Sequence, residues 1–150
     1  MSIKRSYLIA VAAAGFVAGG AWLTPPSPAE AQVTRDTLKT FDDLFMEQVK
    51  IGDALFHGDQ ATEDKLKVNL SDTGMACAMC HPFAADTHPA QYPKWQEQMS
   101  KFAALRDMIN WCIEKPNQGE AIDADGPAMK ALEAYITWSN KNSPLAAGTH

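Results

Sequence analysis

The chain has 150 residues, with 13 lysines and arginines against 18 aspartates and glutamates, three cysteines and four histidines. That length allows one domain, or one domain behind a processed segment. Hydrophobic residues at 46% and charged residues at 21% exclude a wholly disordered chain, and three cysteines are too few for a disulfide-dense scaffold. A net charge of −5 without a lysine- or arginine-rich run excludes a nucleic-acid binder, which needs clustered positive charge to neutralise phosphates.

Lys4 and Arg5 open the chain and are followed by the apolar run Tyr7 to Leu23. Pro25, Pro26 and Pro28 then break any helix, and Ala29-Glu30-Ala31 sets small residues where a signal peptidase reads. Residues 1–31 therefore read as a secretory signal cleaved after Ala31, with residues 32–150 as the exported domain. In a bacterium that address is the periplasm. The other reading is an uncleaved anchor in the inner membrane, for which a run carrying Gly15, Gly19 and Gly20 is at the short limit of a bilayer span.

From Phe41 onward, Phe41, Leu44, Phe45, Ile51, Leu55 and Phe56 recur at spacings near three and four, the stripe of an amphipathic helix. Thr40 with Asp43 resembles a capping box, His57-Gly58-Asp59 ends the helix, and residues 59–76 read as a polar loop. A second helical stretch is expected from about Lys94 to Glu114, either continuous or broken near Ser100, with Leu105, Met108, Ile109 and Cys112 on one face and Pro116 and Gly119 as its stop. Asp125-Gly126-Pro127 reads as the start of a last helix, whose buried stripe is Met129, Leu132, Tyr135 and Ile136. No segment alternates as a strand would, so the expected fold is all-α, with three main helices.

Between the first two helices lies Cys77-Ala78-Met79-Cys80-His81, a CxxCH sequence. Two thiols three positions apart in a helical turn can each add to one vinyl group of a haem, giving two thioethers. The next residue, His81, then offers its imidazole to the iron as proximal ligand. A redox dithiol would expect a βαβ setting, and a structural zinc site a second pair of ligands; neither is present in the sequence. One covalently bound haem c is the expected cofactor.

The second axial position has candidates downstream in Met99, Met108, Cys112 and Met129. Methionine raises the potential of a c-type haem, whereas a thiolate donates more charge and lowers it. Cys112 is left over once Cys77 and Cys80 are committed, and an odd thiol in an exported protein calls for a reason. Met108 lies one turn earlier on the same helical face, so helix geometry alone leaves both open. His88 would have to pass around the ring to reach the iron. Met75 and Met79 flank the attachment site and are expected to pack on the porphyrin, and Asp42, Asp43, Glu63 and Asp64 to lie on solvated faces.

A glycine-containing first helix, CxxCH and a last helix with tyrosine resemble class I c-type cytochromes over residues 45–141. In such a fold Gly52 and Phe56 meet the last helix near Tyr135. More narrowly, Tyr92-Pro93, the run Leu105-Arg106-Asp107-Met108-Ile109-Asn110-Trp111-Cys112-Ile113-Glu114-Lys115, Gly119, Met129 and Ala134-Tyr135-Ile136 resemble one branch. That branch holds the thiosulfate dehydrogenases and the A subunit of the Sox thiosulfate-oxidising complex. The resemblance implies axial ligation by His81 and Cys112, within a pattern I-N-x-C-x-x-R followed by a glycine. Here Lys115 stands where the pattern has arginine, which keeps the charge but loses the planar fork that grips an oxyanion. The dehydrogenases also carry a second haem domain, whereas this chain has one CxxCH.

Two functional classes follow. The first is a periplasmic monohaem cytochrome that passes single electrons between redox partner proteins with both axial ligands bound, and needs no catalytic acid or base. The second is the haem subunit of an enzyme oxidising thiosulfate or another sulfur compound, with Cys112 at the active haem and Lys115 and Arg106 holding an anionic substrate. A ligand-sensing haem would need an open sixth position, against which Cys112 and Met108 both stand.

Overall fold

The structure is a computed structural model, and it describes residues 35–142. The expected signal over residues 1–31 lies outside the described residues. Among the described residues, no helix is long and apolar enough to cross a membrane.

The first helix, α1, runs from Arg35 to Phe56 and starts well before the expected cap. Thr40 and Asp43 lie inside it, and the Thr40 hydroxyl donates to the Asp36 carbonyl at 3.0 Å. Nothing in Arg35–Thr40 breaks a helix, and Asp36 in the first turn suits the exposed amides there. The helix ends where expected, with Gly58 taking a positive φ of 77°.

The expected loop over residues 59–76 contains a second helix, α2, over Gln60–Leu66. Asp59 caps it, its carboxylate accepting from the Thr62 amide at 2.9 Å. The helix is mostly polar and two turns long, too short to show a period. It also corrects the reading of Glu63, which is buried rather than solvated and accepts from the Leu70 amide at 3.1 Å. A single turn, α3, spans Cys77–Cys80, and 3₁₀ turns follow at Pro82–Ala84 and Pro89–Gln91.

The expected helix over Lys94–Glu114 is half hairpin. Strands β1 (Lys94–Gln96) and β2 (Lys101–Ala103) pair antiparallel with Trp95 opposite Phe102, and a 3₁₀ turn at Glu97–Met99 joins them. Ser100 closes the turn at φ 50°. The helix α4 begins only at Leu105 and ends at Glu114. Three-residue strands without β-branched residues leave no alternation to read, which is why the segment passes for helix. The last helix, α5, spans Pro127–Ser139 with proline in its first turn, as expected. The fold is mostly helical, with this two-stranded hairpin as its one sheet among the described residues.

The core forms where α1 crosses α5. Met129, Ala131, Leu132, Tyr135 and Ile136 of α5 are buried, as are Val49, Leu55 and Phe56 of α1. A Cβ at Gly52 would fall on the Ala131 carbonyl, so only glycine lets the two backbones approach this closely. Phe56 and Tyr135 pack with ring centroids 5.2 Å apart, as the sequence resemblance implies. A second tie fixes the approach to the cysteines. Residues 69–72 pair with 117–120 through Asp72 N–H to Asn117 O at 3.1 Å and Glu120 N–H to Asn69 O at 2.9 Å. A Cβ at Gly119 would strike the Leu70 backbone, which accounts for the glycine after α4.

Candidate functional site

One cavity collects most of the sequence-predicted residues. Cys77 and His81 of the attachment motif line it together with Met108 and Cys112 of α4. Phe56, Tyr92, Leu105, Ile109, Leu132 and Ile136 supply the remaining apolar wall, and Asp86 and Thr87 the polar part. Burial of the α1–α5 core on one flank and the α4 stripe on the other leaves these side chains facing one another. Cys80 lies on the same short turn as Cys77 but is exposed, outside that lining. None of the three cysteines is joined in a disulfide.

The imidazole of His81 is oriented from within its own loop. Its Nδ1 lies 3.1 Å from the Ala85 carbonyl; because a carbonyl can only accept, Nδ1 carries the proton and donates. Nε2 is then the ring atom with a free lone pair, the arrangement that suits an iron ligand.

The thiols are in apolar surroundings. Burial pushes Cys77 up from 9.0 to about 11, with the nearby Cys112 charge as the next cause. Cys112 is also raised, first by burial and then by Cys80. A thiolate at Cys112 therefore needs a cation to replace its proton. Tyr92 is raised by burial too, and its hydroxyl accepts from the Gln96 amide at 2.8 Å.

The helix that carries Met108 and Cys112 is pinned in its first turn and at its middle. Asp107 accepts the Ala104 amide at 2.7 Å and the Lys101 ammonium at 2.9 Å. Asn110 brackets the backbone of Ile122, donating to its carbonyl at 2.8 Å and accepting from its amide at 3.0 Å. Asn110 and the buried Glu63 are positioning residues that sequence reasoning assigned no role. The I-N-x-C run was a signal for the first; nothing local signalled the second.

Other expected residues fall elsewhere. Met129 is fully buried in the core, and Met99 lines a separate polar groove with Arg106 and Trp111. Met79 is exposed on the attachment turn. His88 does not line the cavity, and its Nδ1 is buried with no hydrogen-bond partner. Lys115 is exposed at the end of α4. Arg106 donates to both carboxylate oxygens of Glu133, at 3.2 and 3.0 Å, and to Asp125 at 3.0 Å, so its charge is already met inside the protein.

Among the described residues, no three or more His, Cys, Asp or Glu side chains converge as a bare metal ion would require. An imidazole with a free Nε2, two thiols and a thioether within apolar walls fit instead an iron whose equatorial donors come from a macrocycle. The residues present fit haem c.

Residues 62–145 match the family model described as SoxA/TsdA, cytochrome c domain. The thiosulfate dehydrogenase of Psychrobacter arcticus is 24% identical over 121 residues, which are 74% of this chain and 37% of that protein. The thiosulfate dehydrogenase of Allochromatium vinosum is 27% identical over 86 residues, 49% of this chain and 32% of that protein. The chain thus spans about a third of the length of the curated relatives it matches.

Proposed function

Because the chain belongs to the SoxA/TsdA cytochrome c domain family, and so has a haem electron-transfer role, we propose that it is a periplasmic monohaem carrier of single electrons between redox partner proteins. In this reading Cys77 and Cys80 hold the haem by thioethers, and His81 and Cys112 take the two axial positions, with Met108 as the alternative to Cys112. Residues 1–31 serve as the export signal. The observation that carries the proposal is the shared cavity of Cys77, His81 and Cys112.

Haem c, when bound, supplies one-electron chemistry between ferric and ferrous iron. The protein's part is to hold and insulate. Cys77 and Cys80 anchor the group to a turn only four residues long. Ala85 fixes the His81 ring, and Phe56, Leu105, Ile109, Leu132 and Ile136 exclude water. A negatively charged Cys112 sulfur favours the oxidised state and lowers the potential.

A second reading rests on the two relatives, both thiosulfate dehydrogenases. In it the chain is the haem subunit of an enzyme oxidising thiosulfate or a related sulfur compound, with Cys112 at the active haem. The neutralised Arg106 and the outlying Lys115 favour the carrier.

The mass of the exported protein and its ferric EPR and near-infrared spectra test the proposal together. A mass above that of the amino acids by one haem, with a low-spin thiolate signature, is expected. A colourless protein of polypeptide mass alone, made in a host able to mature c-type cytochromes, overturns it.

A further inference from the structure

Glu63 of α2 is 6% exposed, while Asp59, Asp64, Lys65 and Lys67 on and beside the same helix all face solvent. Its carboxylate has one hydrogen-bond donor, the Leu70 amide at 3.1 Å from Oε2. No cation pairs with it among the described residues. Withdrawing a carboxylate from water without a counter-ion is costly, and a single amide bond offsets only part of that. A glutamine at this position would accept the same amide with no charge to desolvate. The fold by itself therefore gives no reason for the charge.

The charge sits beside the attachment turn. α2 starts just after Gly58, where a Cβ would lie 3.1 Å from the methyl of Ala76, the residue before Cys77. Leu66, Val68 and Cys77 all pack against the core cluster that contains Leu70. The field of Glu63 reaches the Cys77 sulfur: after burial and the Cys112 charge, it is the next group that raises this thiol, ahead of Cys80 on the same turn. Because the carboxylate is buried, solvent and salt screen it less than they screen the surface charges around it.

We propose that the buried Glu63 carboxylate tunes the reduction potential, its negative charge beside Cys77 opposing the electron that a redox partner delivers and so holding the potential down. The inference rests on the haem reading given above and deepens it. One electron arrives, the iron passes from ferric to ferrous, and no bond forms or breaks. Glu63 acts through its field alone, which makes it a positioning residue and not a ligand. Its effect has the same sign as that of a negatively charged Cys112 sulfur.

Spectroelectrochemistry of the haem-loaded protein, followed at the Soret band, reads the potential. Glu63→Gln keeps an acceptor for the Leu70 amide and removes only the charge. It is expected to shift the ferric–ferrous equilibrium toward ferrous by roughly 3–10-fold, or about 30–60 mV at 59 mV per tenfold, with the ferric EPR signals unchanged. Asp64→Asn removes the same charge from the exposed neighbouring position, and should move the equilibrium by less than about 1.5-fold. The wild-type protein supplies a second measurement that needs no variant. Coupling is reciprocal, so the Glu63 carboxyl, followed by ¹³C NMR, should bind its proton roughly 3–10-fold more tightly in the ferrous than in the ferric protein. An unchanged potential in Glu63→Gln, an equal shift in Asp64→Asn, or equal proton binding in both redox states overturns the inference and leaves the haem reading standing. A protein without haem overturns both.

Discussion

The side-chain amide of Gln98 donates to the thioether sulfur of Met108 at 3.5 Å. Met108 and Cys112 are one turn apart on α4 and line the same cavity, yet only the thioether has a hydrogen-bond partner among the described residues. The thioether keeps a second lone pair, so this contact leaves Met108 open as a ligand, and replacing each sulfur in turn decides the proposed axial role. Cys112→Ala is expected to abolish the low-spin thiolate features of the ferric EPR spectrum, and Met108→Leu to leave them in place. The potential should rise in the first variant and hold in the second, because a thiolate lowers it. The reverse pattern transfers the axial role to Met108.

Gly52→Ala should loosen the crossing of α1 and α5. Alanine gains up to about 1 kcal/mol of helix propensity over glycine. That gain is outweighed, since the new methyl falls on the Ala131 carbonyl and the Tyr135 Cβ, neither of which can swing aside. Overpacking of this kind costs about 1–3 kcal/mol. Guanidinium unfolding of the haem-loaded protein should show a lower midpoint, and an unchanged midpoint would mean that the crossing has more room.

Much of this arrangement was legible in the sequence because it rests on local rules. CxxCH, the spacing of Gly52 and Phe56, and the stripe through Tyr135 and Ile136 each carry their own period or motif, and the core forms where those stripes meet. The hairpin over 94–103 was not legible. Its strands are three residues long, and what holds it, the Gln96 contact to Tyr92 and the Asp107 contact to Lys101, is between residues that helices also use. Glu63 was missed for a similar reason: a carboxylate in a polar stretch reads as solvated until the chain folds back to bring it the Leu70 amide.

Asp107 links acid stability to the helix that carries Cys112. The Lys101 ammonium, and then the Ala104 amide, hold its carboxyl below the usual 3.8. With the native value depressed, the unfolded chain binds the proton first. The stabilisation is therefore complete above pH 3.8 and is lost as the pH falls below it, through the native value. Asp107→Ala should cost about 1 kcal/mol at pH 7, the worth of one such cap, with little added by a half-exposed ion pair. Denaturant midpoints of the two proteins should converge as the pH falls below 3.8. A gap that stays constant below that pH would place the loss in packing instead of charge.

Arg106 separates the two functional readings. A substrate anion at this guanidinium would have to displace Glu133, which holds it by two oxygens, and Asp125, which holds a third nitrogen. Both carboxylates lie on or just before α5, so Arg106 ties α4 to the last helix. Arg106→Gln is accordingly expected to lower the thermal midpoint and to leave unchanged the rate at which thiosulfate reduces the haem, whatever that rate is. Lys115→Gln, at the exposed end of α4, should change neither. Stopped-flow reduction followed at the Soret band, beside thermal unfolding of the same samples, makes the comparison. A variant that folds at the wild-type temperature but loses thiosulfate-dependent reduction would move the argument to the enzyme, because only an anion held at Arg106 produces that combination.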